Sequence, residues 1–139
     1  MLLLDAGALY AQADRSDSHH QATAEVLQAE NGPLIASAVA VAEADYLILN
    51  RLGIEVELAF LEDLAEGTFQ MECLTRIELR TAAAIVRQYR DLALGLADAS
   101  LVVLAHRFRT LRLVTFDYRA FRTVTPLQGG AFQLLPLDA

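Results

Sequence analysis

Lysine is missing from this chain: all eleven basic side chains are arginines. Any cluster of carboxylates therefore has no ammonium group to neutralise it, and chemistry that needs a lysine beside the site is excluded. Cysteine occurs once, at Cys73, which rules out an internal disulfide and fits a reducing cytoplasm. Cys73 itself is expected to be a small residue on a buried strand. No apolar run approaches the ~18 residues of a membrane helix, so no membrane partner is expected. The opening Met1-Leu2-Leu3-Leu4 lacks a basic flank and meets Asp5 at once, which does not describe a signal peptide. There is no phosphate-binding glycine loop, no paired-cysteine zinc spacing and no serine–histidine–acid arrangement.

The 139 residues, 55% of them hydrophobic, suffice for one domain with a substantial core. The net charge of −7 argues against a surface that binds nucleic acid everywhere. Its distribution is uneven. Residues 1–74 hold thirteen acids against Arg15 and Arg51, whereas residues 75–139 hold nine arginines against five acids. The second half can therefore offer a basic face to phosphates.

Short apolar runs alternate with amphipathic stretches. Leu2–Leu4 and Leu34–Ala36 read as buried strands, Thr68–Leu74 as a strand with Phe69, Met71 and Cys73 inward, and Leu111–Thr115 and Ala131–Leu135 as two more. Helices are expected around Ala8–Ala11, over Asp17–Glu30, over Ala38–Arg51 after a Ser37 cap, and over Ile54–Glu66 between Gly53 and Gly67. The last of these shows a stripe of Ile54, Leu58, Leu61 and Ala65, widened by Phe60 and Leu64. Thr75 and Glu78 form a capping box for a further helix, and Asp98–Arg109 is another, followed by one helical turn at Tyr118–Phe121. Strands alternating with helices predict a parallel sheet covered on both faces: a three-layer α/β/α fold with about five short strands.

That architecture gathers four acids. From Asp98 to Arg109 a helix covers roughly 17 Å at about 1.5 Å per residue. The strand Leu111–Thr115 returns over about the same length, at roughly 3.3 Å per residue. Asp98 and Asp117 therefore share one edge of the fold. Asp5 ends the first strand, and Glu43 lies in the second turn of the helix leaving the second strand, so both reach that edge. Each acid has a plainer reading: Asp5 as a turn former, Asp98 as a residue favoured by the helix dipole, Asp117 as an N-cap, Glu43 on an exposed stripe. Together they repel one another, and a divalent cation with a preference for hard oxygen ligands, Mg²⁺ or Mn²⁺, resolves the repulsion. Asp45 and Asp91 are weaker candidates, with Asp45 expected to face solvent. His19, His20 and His106 are expected at the surface.

The pieces LLLDAGAL at 2–9, SAVAVAEADYL at 37–47, GLADASLVVLA at 95–105 and VTFDYRAF at 114–121 resemble, in order, the PIN-domain ribonucleases, particularly the VapC-type toxins of bacterial toxin–antitoxin pairs. The resemblance implies an endoribonuclease dependent on Mg²⁺ or Mn²⁺ that cuts structured RNA such as tRNA or rRNA. It carries the family's catalytic and metal-binding acids onto Asp5, Glu43, Asp98 and Asp117. It also implies a homodimer and a small VapB-like antitoxin whose C-terminal segment covers the site. One position departs: where the family commonly has a hydroxyl residue two after the first acid, this chain has Gly7. Thr115, two before Asp117, keeps the hydroxyl there. Arg87, Arg90, Arg107, Arg112 and Arg119 are candidates to meet RNA phosphates or antitoxin carboxylates. The alternatives are a PIN-like interaction domain of little or no activity, and a different enzyme on a similar sheet. A haloacid-dehalogenase-type phosphohydrolase would want an acid at position 7, and a signalling receiver domain would want a lysine.

Overall fold

A computed structural model describes residues 1–139. Five parallel strands form one sheet: β1 (Leu2–Leu4), β2 (Leu34–Ser37), β3 (Gln70–Glu72), β4 (Arg112–Val114) and β5 (Gln133–Leu135), in the order β3-β2-β1-β4-β5. The central β1 is pure leucine because both of its faces are covered, and all three side chains are fully buried. Register partners run across the sheet in rows. Leu3, Ile35, Leu113 and Leu134 enter one core, and Leu4, Val114 and Leu135 enter the other. The pleat thus divides the interior into two layers of apolar packing.

Helices α1 (Ala6–Ala13), α3 (Ala38–Leu52) and α4 (Ile54–Glu66) contribute to one core; α5 (Arg76–Gln88), α6 (Leu96–Phe108) and α7 (Tyr118–Thr123) contribute to the other. Helix α2 (His20–Ala29) packs its Val26 and Leu27 at the edge of the first. The expected three-layer arrangement is present. No helix is long and apolar enough to cross a membrane.

Local chemistry sets the boundaries. The Ser37 hydroxyl accepts from Ala40 N at 3.0 Å and starts α3; Thr75 and Glu78 form the full capping box of α5. Helix α2 starts at His20 rather than Asp17, because the Asp17 carboxylate first accepts from His19 N at 2.8 Å and closes a turn. Helix α6 starts at Leu96 rather than Asp98, which places Asp98 inside the first turn, and Arg109 ends it at a φ of 53°.

Three expectations are corrected. Cys73 lies past the end of β3 and is exposed, as is Met71, because β3 is a three-residue edge strand with no cover on that side. The expected stripe of α4 is turned in part outward: Phe60 and Leu64 pack inward as expected, joined by Val56, with Phe60 against Phe69, whereas Ile54, Leu58 and Leu61 are exposed. Asp45 is half-buried, and it pushes the neighbouring Glu57 carboxyl up.

Two candidate phosphate ligands are committed elsewhere. Arg107 holds Glu72 at 3.0 Å, Glu78 at 2.5 Å and the Cys73 carbonyl at 2.6 Å, tying α6 to α5 and β3. Its hydrogen bonds hold the Glu78 carboxyl at about 2. Arg112 pairs with Glu30, which also accepts from Gly32 N and from the N-terminal ammonium; the Gly32 bond contributes most to holding that carboxyl at about 2. Arg87, Arg90 and Arg119 are exposed and make no ion pair.

Candidate functional site

The strand order reverses at β1: the chain winds out through β2 and β3 on one side and places β4 and β5 on the other. In parallel sheets the carboxyl ends of the strands at such a reversal form a crevice. Here β1 delivers Asp5 and β4 delivers Thr115 and Asp117 to the same point. The crevice has a volume of about 430 Å³ and is lined by Asp5, Ala6, Gly7, Glu43, Asp98, Phe116 and Asp117. All four acids expected from the sequence line it, and no basic side chain does. A larger groove of about 610 Å³ between α1 and α4, lined in part by Leu9, Val56 and Phe60, lies away from this cluster.

Asp5 is 6% exposed and is the N-cap of α1, its Oδ1 accepting from Ala8 N at 2.8 Å. Its Oδ2 accepts from the hydroxyl of Thr115, which is fully buried. The same hydroxyl oxygen accepts from Asp117 N at 3.0 Å, so one threonine positions two acids. Asp117 caps α7 through Oδ1, accepting from Ala120 N at 3.3 Å. Asp98, in the first turn of α6, and Glu43, exposed on α3, accept no hydrogen bond from the protein. The plain capping roles of Asp5 and Asp117 are therefore real, yet they leave acceptor capacity over.

The electrostatics follow from this placement. Burial raises the Asp5 carboxyl to about 6 against the pull of its two hydrogen bonds, with Asp117 and Glu43 adding to the rise. Burial also raises Asp98 to about 6, followed by the charges of Asp5, Asp117 and Glu43. This is a donor set of hard oxygens carrying unneutralised negative charge. In the side-chain conformations of the structure, no three acids stand as close as the ligands of one ion. An ion that keeps several waters and takes one or two carboxylates directly, as Mg²⁺ does, fits such a set. Asp5 and Asp98 are the inner members, with Glu43 and Asp117 nearer solvent.

Gly7, in the first turn of α1, is exposed at the crevice. A Cβ there would meet only Asp5 Oδ1, at an ordinary 3.5 Å. Gly7→Ser is therefore expected to fold and to raise the melting temperature by a few degrees through lower chain entropy. Thermal melts check this; a melting temperature below the parent's would contradict it.

The sequence reading missed two features. Ser100 is fully buried on α6, and its hydroxyl is hydrogen-bonded to that of Ser37 at 2.7 Å, which ties the helix carrying Asp98 to the start of the helix carrying Glu43. A serine amid the apolar run of α6 was the available signal. His19 is exposed, as expected, but its ring stacks on Phe116, with centroids 3.9 Å apart and planes 15° from parallel. His20 is half-buried, with Nδ1 2.8 Å from the Ala11 carbonyl oxygen, and His106 is exposed.

Known proteins resemble this chain in sequence and fold. The PIN domain family model covers residues 2–125. Ribonuclease VapC26 of Mycobacterium tuberculosis is 38% identical over 135 residues, which is 97% of this chain and all of that protein. The crystal structure of M. tuberculosis VapC20, described as a sarcin-ricin loop cleaving toxin, superposes with a TM-score of 0.79 at 14% identity, over 85% of this chain and 91% of its own. A chain of a toxin–antitoxin complex from Klebsiella pneumoniae superposes with a TM-score of 0.68 at 20% identity, over 91% and 98%. With its acid-lined crevice at the sheet's switch point, the chain belongs to the PIN-domain family, among relatives that include the VapC ribonucleases.

Proposed function

We propose that this protein is a metal-dependent endoribonuclease and the toxin of a VapBC-type toxin–antitoxin pair, acting in the cytoplasm. One observation carries the reading: four carboxylates from four separate segments line one crevice that contains no cation of the protein's own. Mg²⁺ or Mn²⁺ bound there supplies a low-pKa water and positive charge against the phosphodiester. Asp5, Asp98 and Glu43 would hold the ion, part of the set through its bound waters. Asp117, fixed by its backbone bond to Thr115 and by its capping bond to Ala120, keeps a free oxygen to orient the attacking water. The substrate is RNA, structured as in tRNA or rRNA, with Arg87, Arg90 and Arg119, three exposed arginines outside any ion pair, open to its phosphates.

The partners are a small antitoxin and a second copy of the chain. Exposed apolar side chains on α3, α4 and α5 — Tyr46, Ile54, Leu58 and Ile77 — supply surface for protein contacts. The test is cleavage of total RNA by the purified protein with Mg²⁺ or Mn²⁺ against an EDTA control, with the new ends sequenced. Cuts at defined positions that EDTA abolishes are expected. A protein that leaves RNA intact with either metal is an interaction domain rather than a nuclease.

A further inference from the structure

We propose that His19 and Phe116 form a stacking platform that seats one unpaired base of the RNA beside the scissile phosphate; this rests on the nuclease reading above. The crevice lining contains no arginine or histidine, and its carboxylates repel a polyanion. An RNA strand at the catalytic acids therefore needs an anchor that is not a salt bridge to the lining. Phe116 lies between Thr115 and Asp117 and is itself part of that lining. The His19 ring lies nearly parallel to it at 3.9 Å, a spacing close to that of stacked bases, and His19 is exposed, so the pair can be reached from solvent.

The histidine is fixed in place by its backbone. His19 N donates to the Asp17 carboxylate at 2.8 Å, and His19 O accepts from Thr23 N at 3.0 Å and from the Thr23 hydroxyl at 2.8 Å. Thr23 is fully buried, so the loop before α2 is pinned from within. With its backbone held this way and its ring stacked on Phe116, the side chain loses little further freedom when a base settles on it. Stacking tolerates every base, so the platform selects for an unpaired nucleotide rather than for a sequence.

The experiment uses the full chain and a single-stranded RNA oligonucleotide carrying 2-aminopurine, placed beside the scissile phosphate where the protein cuts. His19→Ala is expected to raise KM about tenfold, with kcat changed less than about twofold, whereas His19→Phe keeps KM within about twofold of the parent. The parental protein and His19→Phe quench 2-aminopurine fluorescence on binding; His19→Ala does not. Equal melting temperatures confirm intact folds. An unchanged KM in His19→Ala overturns the platform, as does a defect in His19→Phe equal to that of His19→Ala. Loss of antitoxin affinity without any change in KM also overturns it, by giving the surface to the protein partner. Quenching is read on binding alone, so a parental protein that binds and quenches but never cuts refutes the nuclease reading and leaves the platform standing.

Discussion

Asp98→Asn is expected to abolish RNA cleavage while making the metal-free protein more stable. The side chain accepts no hydrogen bond from the protein, so asparagine breaks none and fits the same space. What changes is charge. Burial, and then the charges of Asp5, Asp117 and Glu43, hold the Asp98 carboxyl at about 6, above its ordinary value. The native state therefore binds more protons than the unfolded chain between about pH 4 and pH 6, and this group's contribution to stability falls as pH rises through that window. Above pH 6 the metal-free parent carries the full repulsion and the variant does not. At pH 7.5 in EDTA the variant should melt higher, by about 3 °C for each kcal/mol relieved; at pH 4 the difference should vanish. Added Mg²⁺ or Mn²⁺ reverses the order, because an ion bound only to the folded parent stabilises it by RT ln(1 + [L]/Kd), about 2.7 kcal/mol at a hundredfold excess over Kd. Cleavage should fall at least about a thousandfold, equivalent to about 4 kcal/mol in the barrier. A variant that still cuts with Mg²⁺, or that melts below the parent in EDTA, is inconsistent with a repulsive, cation-binding cluster.

Asp5, Asp98 and Asp117 were legible in the sequence because each sits at or within one turn of an element boundary that local rules define, and Glu43 follows from the Ser37 cap, which fixes where α3 begins. Leu2–Leu4 can only be a covered strand, so Asp5 must follow a strand end, and a short return from α6 to β4 sets Asp117 near Asp98. The Ser37 and Thr75 caps are likewise decided within four residues. What stayed illegible depends on contacts between distant segments. Helix α4 carries apolar residues on more than one side, and it is the approach of Phe69 that turns Phe60 inward and Ile54, Leu58 and Leu61 outward. Asp45 is half-buried because α4 folds back beside α3 and brings Glu57 to it. Arg107 and Arg112 looked available for phosphates, but their partners Glu78 and Glu30 lie 29 and 82 residues away. The His19–Phe116 pair joins the loop before α2 to the end of β4, and no periodicity announces it.

Thr115→Val tests whether the cluster depends on a single hydroxyl. Valine matches threonine in shape, so the core packing of this fully buried position should survive. Two bonds do not survive: the donation to Asp5 Oδ2, and the acceptance from Asp117 N. Leaving a buried carboxylate oxygen without its donor costs roughly 1–3 kcal/mol, enough to lower the melting temperature by several degrees. The pH dependence identifies the cause. The Thr115 bond is the largest influence holding the Asp5 carboxyl down against burial, so its loss moves that group above its present value of about 6. A carboxyl whose folded value rises binds its proton over a wider range, so the native state loses stability across a longer span of rising pH. The destabilisation of Thr115→Val should therefore be larger at pH 8 than at pH 4, where Asp5 is protonated with or without the hydroxyl. Cation binding competes with that proton, so the pH at which Mg²⁺ or Mn²⁺ activates cleavage should move upward, and a more alkaline buffer should recover part of the lost rate. A uniform loss of stability at all pH values, with an unshifted activity profile, would reduce Thr115 to a packing residue and remove the link it provides between Asp5 and Asp117.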